Sequence, residues 1–482
     1  MKEYDVIAIG SGSSMNIIPA MQRKNPKLRA AVIDKDDPGG ICLTRGCIPT
    51  KMLVYPAELV RHIQEAEKFG IDAPIKKIDF QKVMSRMRSH IKPQIEGIRQ
   101  GLGHSPGIDY YPVAAEFTGP YTLKVGKEEI TSKLIFLCLG SEIAIPPVKG
   151  LDKVKYHTSD TILEINKLPE SLAIMGGGYV AAEYGHFFSA MGSKVTIIGR
   201  NPQFLPNEEP EISAFALAVM SKHMKILTDH EIIEAQSGLL GKKTLIAKDR
   251  KTGRTVSIEA HEVLVATGRA PNTDILHPEK SGIETDARGW IKVNEFMETT
   301  QPGIYAFGDA TGKHLFKHVA NYESMVVYYN AILKRPMEAN YHAVPHAIFT
   351  YPEVAGVGMT QAEAVKAHGQ ENVLIGFHKF QDTAKGMAMD ADGFVKVIVQ
   401  AHDRKILGAH IVGPEASILI QEIINLMYTK SGSILPLNDA MHIHPALPEV
   451  VERACQRLMP VEQYEHLQMH ERGEVHQEHH HH

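Results

Sequence analysis

Cysteine is scarce: the 482-residue chain holds four, at positions 42, 47, 138 and 455. So few thiols in so long a chain exclude a disulfide-stapled scaffold. A basic excess is missing as well. Lysine and arginine total 52 against 56 acidic residues, a net charge of −4. That leaves no surplus to neutralise phosphates, so no nucleic-acid partner is expected. No apolar run approaches the roughly 20 residues that span a bilayer, so no membrane association is expected. The opening residues, MKEYDVIAIGSGSS, lack the anatomy of a signal peptide. The expected setting is therefore cytoplasmic and reducing. With 43% hydrophobic and 22% charged residues the bulk of the chain reads as globular rather than disordered. Its length suggests about three domains.

What is present is a repeated pattern. Residues Tyr4 to Ile9 read as a short buried strand running into Gly10-Ser11-Gly12-Ser13-Ser14-Met15, with helix-compatible sequence after it and a second strand from Ala30 to Ile33 that ends at Asp34. This is a βαβ unit with a glycine-rich first turn, although Met15 stands where a third glycine is usual. Such glycines let the backbone approach a pyrophosphate lying at a helix N-terminus. The pattern recurs with a strand from Ser171 to Met175, the turn Gly176-Gly177-Gly178, a helix from Tyr179 and a strand from Val195 to Ile198. Ala181 at the third position is an accepted variant. Two dinucleotide folds imply two dinucleotides. Two further strands end in turn glycines, Gly140 and Gly268, and PGIYAFGDA places Asp309 just after a strand. From about residue 343 alternating strands such as Phe394 to Val399 mark an α+β domain. The polar, histidine-rich stretch 466–482 reads as a disordered tail, and no metal site is expected there or elsewhere.

Cys42 and Cys47 lie five positions apart in GGICLTRGCIPTK. On a regular helix that is about 7.5 Å along the axis, whereas a disulfide needs Cα atoms within about 7 Å. Bridging would require a local break, which Gly46 and Pro49 permit. The alternative is two buried free thiols. Zinc ligation is disfavoured because no second cysteine pair appears.

The segment GGxCxxxGCxPxK, both glycine turns, ATGRAPN at 266–272 and GDA at 308–310 resemble the flavin-dependent pyridine nucleotide–disulfide oxidoreductases, over about residues 3–460. CIPTKMLVYPAE, YHTSDT, KHVANYE and IHPALPEVVE resemble the mycothione reductases of that family in particular. The implied fold class is α/β, with two Rossmann-like domains, for FAD and NAD(P), and a C-terminal α+β dimerisation domain. The implied boundaries are 1–148 and 273–342 for the FAD domain, 149–272 for the NAD(P) domain, 343–465 for dimerisation and 466–482 for the tail.

The resemblance also implies roles. Cys47 is the flavin-adjacent thiol and Cys42 the interchange thiol. His444 is the general acid/base, reaching the cysteines of a second subunit in a homodimer, and Glu449 orients it. His442 lies outside the match. Lys51 and Glu183 match a pair beside the flavin ring, and Tyr179 an aromatic lid over the nicotinamide. Gly10, Gly12, Asp34, Gly140 and Asp309 serve FAD; Gly176, Gly178, Gly268 and Arg200 serve NAD(P)H. NAD-dependent relatives carry an acid where Gly199 stands, and Arg200 suits the 2′-phosphate of NADP. A second arginine often found six residues later is replaced by Pro206.

The expected activity is FAD-dependent NAD(P)H disulfide oxidoreduction of dihydrolipoamide dehydrogenase type. The alternative is an NADPH-dependent reductase of a low-molecular-weight disulfide, of mycothione or glutathione reductase type. Arg200 favours the alternative. The partner is thus a small-molecule disulfide or a lipoyl group. Mercuric reduction is disfavoured because no vicinal C-terminal cysteines exist, and the intact set Cys42, Cys47, His444 and Glu449 disfavours a non-catalytic binding module.

Overall fold

The computed structural model describes residues 1–471. It forms two compact units, one of Met1–Ile198 with Glu231–Asn340, the other of Gly199–His230 with the chain from Tyr341 on.

In the first unit, β1 (Val6–Ile9), α1 (Ile18–Lys24), β2 (Ala30–Ile33), α2 (Gly40–Thr44), α3 (Cys47–Glu65), α4 (Phe80–His104), β3 (Ile108–Tyr111) and β4 (Ile135–Leu137) follow in order. Then come β5 (His157–Thr158), β6 (Ser171–Met175), α5 (Tyr179–Met191), β7 (Lys194–Ile198), β8 (Glu262–Val265), β9 (Ile304–Ala306) and α6 (Lys317–Val327). One parallel sheet has the order β9-β4-β1-β2-β3. A second parallel set has the order β5-β8-β6-β7.

The continuous apolar runs of β1 and β2 have a physical reason. Alternate residues of a strand point to opposite faces, and both faces of this sheet are covered. Val6, Ala8 and Val32 pack with Ile17, Ile18 and Leu102 on one side. Ile7, Ile9 and Ile33 pack with Phe117, Leu123 and Ile130 of an antiparallel meander on the other. Strands buried on both faces are the rule in parallel sheets.

The second unit is built on one sheet of β10 (Pro345–Ile348), β11 (Glu353–Gly358), β12 (Val373–Lys379), β13 (Phe394–Gln400), β14 (Ile406–Gly413) and β15 (Leu458–Pro460). Its order is β10-β11-β14-β13-β12-β15, antiparallel throughout. Helices α7 (Ala416–Met427) and α8 (Glu449–Gln456) supply Ile420, Ile423, Val450 and Val451 to its core. Ion pairs and an aromatic contact between Phe215 and Phe394 tie Gly199–His230 to this unit. Lys396, 1% exposed, pairs with Glu209 at 2.9 Å and with Glu211, and the Tyr464 hydroxyl donates to Glu211 at 2.6 Å.

The expected tail behaves differently at its start. Residues Val461–Glu471 form α9, so 466–471 are helical rather than disordered. The hydrophobic seal is Val461 and Tyr464, both 2% exposed. The rest of the tail, including the four terminal histidines, lies outside the described residues. Among the described residues no helix is long and apolar enough to cross a membrane.

Candidate active site

Cys42 and Cys47 sit on either side of a helix break. α2 ends at Thr44, Arg45 (φ −154°) leaves helical geometry, and α3 restarts at Cys47. A Cβ on Gly46 would fall 2.9 Å from the Ile41 carbonyl oxygen, so the sharp reversal needs glycine there. The expected distortion is thus a two-residue gap between helices. It turns five positions of spacing into a contact, and the thiols, both free, hydrogen bond to each other. Cys42 is half-buried and Cys47 exposed. The Cys42 thiol is pulled down to about 7, first by the hydrogen bond from Cys47, against burial, with Lys317 and Lys51 adding positive charge. Cys47 is pushed up by the same hydrogen bond, by burial and by the neighbouring thiolate. One proton is therefore held between two sulfurs, and the first ionisation of the pair is the easy one.

Lys51 lies one turn along α3 from Cys47. Its ammonium donates to both carboxylate oxygens of Glu183 on α5, at 3.1 and 2.8 Å. Glu183 is 3% exposed, so the partnership expected from the motif match is made by a buried carboxylate. Tyr179 opens α5 directly after Gly178 and is 41% exposed. Its phenol is raised first by burial, then by the charges of Asp309 and Glu183 and the Cys47 thiol, which places these four groups around one region.

The two glycine turns fit dinucleotides by the same close approach. Gly10 (φ 95°) would carry a Cβ only 1.9 Å from the Cys138 carbonyl oxygen, and Gly176 (φ 125°) one 2.1 Å from that of Ala266. Both turns thus leave the backbone bare at a strand's carboxyl end, where a pyrophosphate is accommodated. Gly12 and Gly178 follow in the same turns, and Gly140 (φ 68°) and Gly268 (φ 111°) close the neighbouring strands. The first turn runs into a 3₁₀ segment, Ser13–Asn16, before α1, where Met15 replaces the glycine; the second leads straight into α5.

Asp34 directly follows β2 but is already engaged. Its carboxylate accepts from the Ser11 amide at 2.9 Å and the Ser11 hydroxyl at 2.6 Å. Asp309 accepts from the Ser141 hydroxyl at 2.6 Å, Arg269 donates to that same hydroxyl at 2.9 Å, and burial raises the Asp309 carboxyl. Arg200 follows the end of β7 by two residues, is exposed and belongs to the second unit.

In the second unit the His444 Nδ1 meets Glu449 Oε1 at 2.8 Å, and the Ala446 amide donates to Glu449 Oε2 at 3.0 Å. These contacts hold the Glu449 carboxyl below the usual glutamate range, the histidine link first. Glu449 is nearly buried while the His444 side chain is 65% exposed, so the ring is anchored at one nitrogen and its other edge is presented outward. His442 contrasts with it: 6% exposed and tied to Glu422 at 2.9 Å, it is a packing residue. Cys455 is 1% exposed, with burial raising its thiol, and packs in the core.

Residues not singled out from sequence include Ser141 and Arg269, which orient Asp309, and Glu323, 1% exposed, which accepts from the Gly308 amide at 2.6 Å. Arg269 and Glu323 lie within ATGRAPN and KHVANYE, so the motifs marked their positions without revealing their partners.

Comparison with known proteins agrees with this geometry. Residues 4–339 match the pyridine nucleotide-disulphide oxidoreductase family model, and 344–455 match the dimerisation domain of the same family. The chain is 36% identical to a mycothione reductase of Mycobacterium tuberculosis, covering 94% of this chain and 99% of that one. It is 32% identical to a dihydrolipoyl dehydrogenase of Synechocystis, covering 94% and 98%. Among solved structures, the Cu(II) complex of the HOCl-induced flavoprotein disulfide reductase RclA from Escherichia coli superposes with a TM-score of 0.82 at 25% identity, over 95% of this chain and 99% of that one. Family members are flavoproteins that use FAD and NAD(P)H. With its paired thiols, its two glycine turns and matches across nearly its whole length, the chain belongs to the pyridine nucleotide-disulphide oxidoreductases.

Proposed function

We propose that the protein is an NADPH-dependent reductase of a low-molecular-weight disulfide. The observation that carries this reading is the helix break that sets Cys42 against Cys47 as a hydrogen-bonded thiol pair. Gly199, where an NAD enzyme would carry an acid, with Arg200 directly after it, and the 36% identity to a mycothione reductase support the choice of nucleotide and substrate class.

The Gly10 turn, Gly12, Asp34, Gly140 and Asp309 would hold FAD. The Gly176 turn, Gly178 and Gly268 would hold the nicotinamide nucleotide, with Arg200 pairing to a 2′-phosphate. When bound, FAD supplies the two-electron chemistry that joins a nicotinamide hydride to a dithiol. Lys51, held by Glu183, provides a fixed cation that favours an anionic reduced cofactor. The Cys42 thiolate attacks one sulfur of the substrate disulfide. The substrate S–S bond breaks, and the leaving thiolate takes a proton from His444. Cys47 then gives its proton to the now neutral His444 and attacks the Cys42 sulfur of the mixed disulfide; the second substrate thiolate leaves and takes that proton back from His444, and a Cys42–Cys47 disulfide remains. NADPH restores the two thiols. Glu449 keeps the His444 ring oriented and stabilises its cation. In a homodimer this pair would serve the dithiol of the second copy.

Cys42→Ser and Cys47→Ser are expected to abolish disulfide turnover while the protein stays yellow. Near-normal turnover in either would refute the relay. Mixing Cys42→Ser with His444→Ala chains should restore activity that neither has alone; no recovery after subunit exchange would place the acid and the dithiol in one chain. A second reading, dihydrolipoyl dehydrogenase, is favoured by relatives such as the Synechocystis enzyme. Fast, Cys47-dependent NAD reduction by dihydrolipoamide would establish it. A negligible rate with NAD and NADP alike, and turnover of a small disulfide with NADPH, would support the first reading.

A further inference from the structure

His444 rides on a stretch of chain, 440–448, that has no helix or strand of its own. From 439 to 445 every residue is exposed except His442, with Met441 at 100% and Ile443 at 80% on either side of it. Within its own chain this stretch is therefore anchored through one imidazole. His442 Nε2 lies 2.9 Å from Glu422 Oε1 on α7. An ionised carboxylate only accepts, so Nε2 carries the ring proton. The buried Nδ1 has no hydrogen-bond partner and faces Glu452 Oε1 of α8 at 3.6 Å. Glu452 and Glu449 both stand in the first turn of α8, and at a spacing of three they share a helix face. One turn of α8 thus meets both histidines, which are turned opposite ways. His444 gives Nδ1 to α8 and presents its other nitrogen, whereas His442 faces α8 with Nδ1 and gives Nε2 to α7.

We propose that His442 is a positioning residue for the His444–Glu449 pair: its bond to Glu422 holds the 440–448 stretch between α7 and α8, so that the His444 ring meets Glu449 and aims its outer nitrogen at the leaving thiolate. The packing of His442 thus supports its neighbour. A misplacement of about 1 Å in a reacting group costs about 100-fold in rate. In the first exchange the effect is confined to proton transfer, because the attack by the Cys42 thiolate does not itself use His444. This role rests on the reading of His444 as the acid.

The test follows the first exchange in chemically reduced holoenzyme carrying Cys47→Ser, so that the mixed disulfide at Cys42 persists and is counted by peptide mass after an acid quench. Two probes are compared at neutral pH. Hydroxyethyl disulfide has a basic alkyl thiolate that draws on an acid as it leaves. Dithiobis(nitrobenzoate) has an aryl thiolate that leaves without one. With either, the Cys42 sulfur bonds one probe sulfur, the probe S–S bond breaks and one thiolate departs. His442→Leu, which keeps bulk but loses the bond, should slow the alkyl exchange about 10- to 100-fold and leave the aryl exchange near its starting rate. His442→Gln, whose amide can still donate to Glu422, should recover most of the loss. Glu422→Ala should act like His442→Leu, and it serves if that variant does not fold. In Glu449→Ala chains, where the ring is already released, His442→Leu should add no further loss. Equal slowing with both probes, a full additional loss in the Glu449→Ala chains, or an unmoved alkyl rate overturns the proposal. Failure of the acid reading shows separately, as an alkyl exchange that His444→Ala does not slow.

Discussion

The two glycine turns of the first unit share a backbone and differ in side chains. At each, the first glycine lies within about 2 Å, counted from an added Cβ, of a carbonyl oxygen on the neighbouring strand: 1.9 Å at Gly10 and 2.1 Å at Gly176. Beyond that they part. The Gly10 turn is rich in hydroxyls, has Ser11 locked onto Asp34 at 2.6 Å, and reaches its helix through a 3₁₀ segment. The Gly176 turn opens directly into α5 with Tyr179 exposed and Glu183 buried, and its second strand is followed by Gly199 and Arg200. The shared backbone explains why both can receive a pyrophosphate. The differing side chains distinguish the turn proposed for FAD from the turn proposed for the nicotinamide nucleotide.

Breaking the backbone at each turn should give the largest effects, and different ones. Ala at either position meets a left-handed φ and a carbonyl overlap, a cost of about 1–3 kcal/mol from the conformation alone. Gly10→Ala is expected to purify colourless, without flavin. Gly176→Ala is expected to stay yellow but to lose nicotinamide-driven turnover. Loss of flavin from both, measured by visible absorbance, would erase the distinction between the turns.

A smaller effect is expected at the link between them. Lys51→Met removes the cation that Glu183 holds from α5. Reduction of the flavin by NADPH should slow about 100-fold, in line with the loss of one preorganised electrostatic group, while flavin stays bound. An unchanged rate in rapid mixing would reduce the pair to a structural tie.

The smallest effect sharpens the nucleotide assignment. A charge-assisted contact is worth about 1.5–3 kcal/mol, so Arg200→Ala should raise KM for NADPH about tenfold or more and leave KM for NADH nearly unmoved. Equal changes for both nucleotides would contradict a 2′-phosphate contact.

Protons set a further limit. Glu449 is held below the usual glutamate range by His444, so its ionised form and the link it makes persist through neutral pH. That contribution is present above the unfolded glutamate value and is lost as pH falls through the lowered folded one.

The strands, both turns and the thiol pair were legible because their signals are local: apolar runs, glycines at fixed offsets and a spacing that no helix can satisfy. Cys42 and Cys47 even announced a break, since five helical positions cannot bring two sulfurs together; of the two residues expected to permit it, Gly46 lies in the gap whereas Pro49 lies inside α3. The missed partners are all distant in sequence. Ser141 reaches Asp309, Lys317 reaches Ser13, and Lys396 draws Glu209 and Glu211 to the C-terminal unit. A side-chain contact across such separations leaves no periodicity to read. The misjudged start of the tail has a similar cause. Residues 466–471 look solvated in isolation, yet Val461 and Tyr464 just before them are buried and set the helix they continue.

The most direct test is a thiol count. The oxidised holoenzyme would be mixed with NADPH without any disulfide substrate, quenched with an alkylating agent, and mapped by peptide mass. Two new labelled thiols per chain, at Cys42 and Cys47 alone, are expected once one equivalent of NADPH is consumed. Bleaching of the flavin with both cysteines left unlabelled would contradict the transfer of nicotinamide electrons to this pair.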